Sequence, residues 1–242
     1  MFDLTGRTAL VTGAGRGVGR GIVQVLAERG ADVLVNDLHP ERAEAVAAEI
    51  GGRPLPFDVT SWDAVRAAVG VGGVDILVNN AGVAEERYQG LFADSEPADW
   101  EPELRLNVYG TLHTTRAVLP AMRERGWGRI VQISSNVAAR GVPYGRSLYG
   151  MGKAAVEGHL RHLALEVAAD GITVNALSLG LIANAVEYAD PDVVALRLAG
   201  TPVGRAGEPW EVGAAVTWLC SAGAAFVTGQ VIHVNGGAYQ GR

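Results

Sequence analysis

Lysine is almost missing from this chain. Of 20 basic residues 19 are arginine, and the one lysine is Lys153. Arginine can fill the surface roles of lysine, so surface chemistry does not explain the exception. Cysteine is equally scarce. Cys220 stands alone, which excludes a disulfide framework and reads as a reducing compartment. No apolar run reaches the length of a membrane span, and the opening MFDLTGRTALVTGAG carries no cationic leader pattern. The expectation is a cytoplasmic protein that does not engage a membrane. The 26 acidic residues outnumber the basic ones, the net charge is −6, and the basic residues are scattered. That pattern lacks the concentrated basic face that nucleic-acid binding needs, and it argues equally against acidic partners. The 33 glycines fall in short clusters without a repeat, so neither collagen nor low complexity is indicated.

What is present is alternation. Short apolar runs such as "ADVLVND", "VDILVNNAG", "GRIVQISS" and "GITVNALSL" are separated by longer stretches with helical spacing. The runs are apolar almost throughout, which indicates strands of a parallel sheet covered on both faces. Right-handed crossovers then give an α/β doubly wound sheet, with seven strands and a single domain over residues 1–242. Ligands of such sheets bind outside the carboxyl ends of the strands, so the residues after each strand carry the functional reading.

After the first strand comes "TGAGRGVG", Thr12 to Gly19, with Gly13, Gly17 and Gly19 in a GxxxGxG spacing. Such a loop makes a tight turn, lets pyrophosphate approach the backbone and aims a helix N-terminus at the anion. After the second strand comes Asp37, whose carboxylate can accept from both ribose hydroxyls and repel a 2′-phosphate. That favours NAD over NADP, although Arg16 in the loop could recruit a phosphate. Asp58 and the "NNAG" turn, Asn79 to Gly82, follow the next two strands. They could contact the adenine, or serve as ordinary turn residues. After the fifth come Ser134 and Ser135, then a helix carrying Tyr149 and Lys153 at i and i+4, on one face. A phenol ordinarily titrates near ~10, and an adjacent ammonium makes its phenolate accessible as a base. A compact ammonium with rotatable donors suits that place better than a planar guanidinium.

Taken in order, "TGAGRGVG", "NNAG", Asn107, the Ser–Tyr–Lys set and the closing "VNGG" resemble the short-chain dehydrogenase/reductase family from end to end. The resemblance implies a Rossmann-like fold and hydride transfer between a nicotinamide and a carbonyl or alcohol. It implies Tyr149 as acid/base, Ser135 as the group polarising the substrate oxygen, Lys153 on the nicotinamide ribose, and Asn107 holding a water beside Lys153. For the dinucleotide it implies Thr12, Gly13, Arg16, Gly17, Val18, Gly19, Asp37, Asp58, Val59, Asn79, Ala81, Gly82, Tyr149, Lys153, Gly180 and Ile182. It also implies a homo-oligomer, a tetramer or dimer.

The chain departs from the family's pattern at three places. The serine usually lies thirteen positions before the tyrosine; that position is Asn136, and Ser135 lies fourteen before. Either residue could take the polarising role, with Ser135 preferred. The family's Pro-Gly after the sixth strand is Leu179-Gly180, with Asn184 where its threonine falls. The closing Asp-Gly-Gly is Asn235-Gly236-Gly237. Residues 182–207 read as a substrate lid. Val193, Val194, Leu196 and Tyr188 there, with Val142, Pro143 and Tyr144, suggest an apolar pocket. His159, His162 and Glu166 read as a solvated or interface face, and no metal is expected. The leading expectation is therefore an NAD-dependent secondary alcohol dehydrogenase or ketone reductase for a small apolar or cyclic substrate. Alternatives are a 3-ketoacyl-carrier-protein reductase using NADPH and a catalytically silent dinucleotide sensor. The former relatives tend to carry arginines that dock a carrier protein, where this chain has Gly126 and Asp170.

Overall fold

The period-2 geometry of a strand sends alternate residues to opposite faces, and here both sets are apolar. In β1 (Thr8–Val11) Ala9 and Val11 enter one core and Leu10 the other; in β2 (Asp32–Val35) Val33 and Val35 are divided from Leu34 in the same way. In β4 (Ile76–Asn79) Ile76 and Val78 are divided from Leu77. The structure is a computed structural model, and it describes residues 2–70, 73–83, 88–143, 145–186 and 190–241. Tyr144 and Tyr188 of the expected apolar pocket lie outside the described residues.

Among those residues the strands form one parallel sheet of seven, ordered β3-β2-β1-β4-β5-β6-β7. The others are β3 (Arg53–Pro54), β5 (Gly128–Ser135), β6 (Ile172–Leu179) and β7 (Val231–Val234). One core packs α1 (Gly17–Glu28), α2 (Pro40–Ile50) and α9 (Pro209–Cys220) on the sheet through Ile22, Val46 and Val216. The opposite core packs α3 (Trp62–Val69), α5 (Gly110–Arg125) and α6 (Ser147–Val167) through Val65, Met122 and Leu160. This is the doubly wound arrangement expected from the apolar strands. The order reverses between β1 and β4, where a crevice opens at the strands' carboxyl ends.

Two local features position the site. The helix that starts as α4 (Pro97–Glu103) passes through a π-helical segment, Leu104–Tyr109, before continuing as α5. Pro102 has no N–H for the helical ladder just before that segment, and π segments re-aim side chains at functional sites. Asn107 sits in it. Residues 182–207 are also more regular than their sequence suggests. They contain α7 (Ala183–Val186) and α8 (Pro191–Ala199), and a parallel bridge joins Ile182 to Gly207 at the segment's base. No helix among the described residues is long and apolar enough to cross a membrane.

Candidate active site

The glycine loop between β1 and α1 is built without room for side chains. Gly13 and Gly17 have φ of 60° and 55°, the left-handed region that disfavours other residues. A Cβ on Gly19 would lie 2.4 Å from the Gly13 carbonyl oxygen. α1 begins with Arg16 at its N-cap and no side-chain cap, so its first N–H groups face the loop. Thr12 is buried, and its hydroxyl accepts the N–H of Asn80 (3.0 Å) and of Ala81 (3.1 Å). The Asn80 side-chain amide donates to the carbonyls of Thr12 and Gly13, both at 2.9 Å. Asn36 braces the loop from β2, accepting Gly13 N–H at 3.4 Å. Asn36 and Asn80 are loop supports that the sequence reading did not single out.

Asp37 lies buried directly beneath this loop. Its Oδ2 accepts Gly15 N–H at 3.1 Å and its Oδ1 accepts His39 N–H at 3.1 Å. Asp58 accepts the backbone N–H and the hydroxyl of Thr60 at 2.8 and 2.9 Å. Asn79 is buried, accepting Thr114 Oγ1–H at 2.6 Å and donating to Thr115 Oγ1 at 3.1 Å. Its side chain therefore fastens β4 to α5, and only its backbone is left to meet a ligand. Val59 is buried and Ala81 partly so; with Thr12, Asn79, Leu106 and Thr111 they line the crevice. Asn184 reaches back from α7 to the loop: a Cβ on Gly17 would lie 2.7 Å from its Nδ2, and its buried Oδ1 has no hydrogen-bond partner among the described residues. A cradle closed to side chains, an uncapped helix start and an orphaned amide oxygen beside it fit a dinucleotide.

The second half of the site surrounds Lys153, which is 2% exposed. Its Nζ donates to Ile133 O at 2.9 Å and lies 5.6 Å from the Tyr149 ring centroid. A Cβ on Gly82 would fall 2.3 Å from Nζ and 3.0 Å from Asn107 Oδ1. The ammonium thus faces a gap that glycine leaves open. Burial lowers the Lys153 pKa to about 8, against the opposing pull of Glu103 and Glu157. Both acids are buried. Glu157 Oε1 accepts Ser134 Oγ–H at 2.5 Å, and Glu103 Oε2 accepts Asn107 Nδ2–H at 2.7 Å. The sequence reading missed both, although the signal was present: each lies four residues from a residue it had marked, Glu157 after Lys153 and Glu103 before Asn107.

Ser135 ends β5 and is partly exposed, whereas Ser134 is buried on Glu157. Asn136 is tied down, its Oδ1 accepting from Ser178 at 3.4 Å and from Asn235 at 3.2 Å. Leu179 pairs with both Ser135 and Val234 and is buried, so β6 runs on as ordinary strand where the family pattern has proline. Gly180 follows it, packed so closely that a Cβ would lie 2.8 Å from Asn235 Cα. Ile182 is buried in the core beside it. Val18 lies on the first turn of α1. Of the expected pocket residues, Val194 is buried and Leu196 is 63% exposed. His159, His162 and Glu166 make no metal cluster among the described residues.

A family model described as enoyl-(acyl carrier protein) reductase matches residues 13–239. Nodulation protein G of Rhizobium sp. (strain N33) is 41% identical, over 98% of this chain and 98% of its own. The chain belongs to the short-chain dehydrogenase/reductase family. Two solved structures are similar to this short-chain dehydrogenase/reductase. A 3-oxoacyl-[acyl-carrier protein] reductase of Brucella melitensis with bound NAD has a TM-score of 0.91 at 35% identity, covering 99% of this chain and 94% of its own. A gluconate 5-dehydrogenase of Burkholderia cenocepacia in complex with NADP and tartrate has a TM-score of 0.90 at 34% identity, covering 98% and 96%. This short-chain dehydrogenase/reductase is thus an NAD(P)-dependent oxidoreductase.

Proposed function

We propose that the protein transfers hydride between NAD(H) and a small secondary alcohol or ketone, with Tyr149 as the acid/base. The observation that carries this reading is the placement of the one lysine. It is buried, held by Ile133 O, and turned toward the Tyr149 ring at 5.6 Å. When bound, the nicotinamide supplies the hydride acceptor or donor. In reduction the Tyr149 hydroxyl gives its proton to the substrate oxygen; in oxidation the phenolate takes the alcohol proton back. The Lys153 ammonium stabilises the negative charge that develops on the phenol oxygen as its proton leaves. Ser135, at the open end of β5, donates to the substrate oxygen. Asn136 is the second candidate: Ser178 and Asn235 hold its Oδ1, which leaves its amide N–H as the donor.

Thr12, Gly13, Arg16, Gly17, Val18 and Gly19 would hold the pyrophosphate, with Asp58, Val59, Asn79, Ala81 and Gly82 along the crevice and Gly180, Ile182 and Asn184 toward the nicotinamide. Asp37 supports NAD. Its carboxylate is buried below Gly15, where a 2′-phosphate would meet negative charge. A small substrate is favoured because the carrier-docking arginines are missing. Gly126 has no side chain, and Asp170 is paired with Arg123 at 2.7 Å. Residues 182–207 would cover that substrate.

A second reading, a 3-ketoacyl-carrier-protein reductase using NADPH, is favoured by the likeness to the Brucella melitensis reductase. Turnover of NADH and NADPH against simple ketones, cyclic ketones and 3-ketoacyl thioesters separates the two. NADH oxidation with a simple ketone supports the first. Activity confined to NADPH and the thioesters replaces it with the second, and silence on every substrate revives the dinucleotide sensor.

A further inference from the structure

Glu103 is an acid in a place where acids are rare. It is 1% exposed, among the most buried large side chains of the molecule, and a carboxylate with that burial needs a compensating partner. Its Oε2 accepts Asn107 Nδ2–H at 2.7 Å. An ionised carboxylate only accepts, so this bond dictates which way the Asn107 amide faces. The amide nitrogen turns to Glu103, and Oδ1 turns to the gap at Gly82, where the Lys153 ammonium also points. Oδ1 is buried with no hydrogen-bond partner of its own among the described residues. With the amide reversed, an N–H donor would face the ammonium and repel it.

We propose that Glu103 is a positioning residue of this active site, orienting the Asn107 amide toward Lys153 and supplying the negative charge that the buried ammonium faces from α4. The proposal rests on the reading of Tyr149 and Lys153 as the reacting pair. Among the described residues the charged and titratable groups that act on Lys153 are Glu103, Glu157 and Tyr149. Glu157 faces it from α6, but one of its oxygens is taken by Ser134 and the other lies 3.7 Å from Arg161. Tyr149 lies one turn earlier on the same helix. Glu103 comes from the other side, across the π segment, and reaches Lys153 through Asn107. It acts through Asn107 and touches no reacting atom.

Two substitutions separate its two tasks. Glu103→Gln keeps the shape, removes the charge and, by offering a donor, stops dictating the amide direction. Glu103→Asp keeps the charge but shortens the reach to Asn107. Because the chain has a single lysine, ¹³C labelling of lysine Cε gives one side-chain signal, and its pH titration reads Lys153 without any substrate. The wild-type midpoint is expected near about 8. Glu103→Gln should lower it by about one unit and move the alkaline limb of kcat downward with it. Glu103→Asp should leave the midpoint near wild type while kcat falls about tenfold and KM for NADH stays within about twofold.

An unchanged lysine titration and an unchanged kcat limb in Glu103→Gln would reduce Glu103 to a packing residue. Should that variant fail to fold, wild-type kcat in Glu103→Asp overturns the orienting role. The lysine titration reports on Glu103 even if Tyr149→Phe proves active. Failure of the reacting pair and failure of this proposal are therefore told apart.

Discussion

A buried cation lies at each end of strand β5, Arg129 within the strand and Lys153 reaching its last residues from α6, and the two are handled in opposite ways. At its amino end Arg129 is 5% exposed. It donates from Nη1 to Gly128 O at 2.7 Å and Gly171 O at 3.1 Å, and lies 4.5 Å from the Trp127 ring centroid. Arg7 covers the same ring at 3.7 Å, while Arg125 pairs with Asp75 at 3.2 Å. Burial lowers the Arg129 pKa, but a guanidinium starts so high that it stays a cation. At the carboxyl end Lys153 is held by one backbone carbonyl and brought to about 8. The same physical cost makes a staple in one place and a titratable group in the other. The one lysine of the chain thus stands where burial brings the charge within reach of titration.

The sharpest way to break this contrast is at the group the lysine serves. Tyr149→Phe should lower turnover about 10²–10⁴-fold with cofactor affinity unchanged in a fluorescence titration. A near wild-type rate removes Tyr149 as the acid/base. The cation itself comes next. Its folded pKa of about 8 lies below the ordinary lysine value of 10.5. The unfolded chain therefore binds more protons between those pH values, and stability rises with pH across that window. Below pH 8 the buried charge costs about 3 kcal/mol. Relative to Lys153→Met, the wild type should gain about that much as pH rises through the window, read by denaturant unfolding. Parallel stability curves for the two proteins would refute the assignment.

Arg129→Met tests the other end. It should lower stability by about 1–3 kcal/mol, because the Gly128 and Gly171 carbonyls lose their donor, and leave kcat per folded molecule unchanged. A change in kcat would mean that the two ends of β5 are coupled. Asp37→Ala is the mildest. It should narrow the preference for NADH over NADPH by about tenfold, roughly 1.4 kcal/mol, measured as a ratio of kcat/KM values. An unchanged ratio takes Asp37 out of cofactor choice.

How much of this was legible in the sequence follows from the range of the interactions involved. The strands and their order of appearance were readable because Ala9 to Val11 and Ile76 to Val78 are apolar on both faces, a local property. Tyr149 and Lys153 were readable because i and i+4 on a helix are neighbours whatever the fold does. The fastening of Asn79 to Thr114 and Thr115 and the clamp of Asn80 on the glycine loop were not. Each spans more than thirty residues of chain, and a polar residue after a strand looks the same whether its side chain meets a ligand or a helix. Glu103 was hidden for another reason. Its spacing of four from Asn107 was in the letters, but its burial was not. Residues 182–207 lacked clear periodicity because α7 and α8 are short, and their base is held by backbone bonds.

That base has a consequence of its own. Ala183 N–H donates to Gly207 O at 2.8 Å and Gly207 N–H to Leu181 O at 2.9 Å, so the segment is closed at its base by one stitched neck. A loop closed at its neck can change length cheaply, since doubling a flexible loop costs only about 0.6 kcal/mol in closure entropy. A change of length inside that loop then weighs little on the folding of the sheet. The stitch, rather than the length of chain it closes, is what ties this segment to the carboxyl ends of the strands.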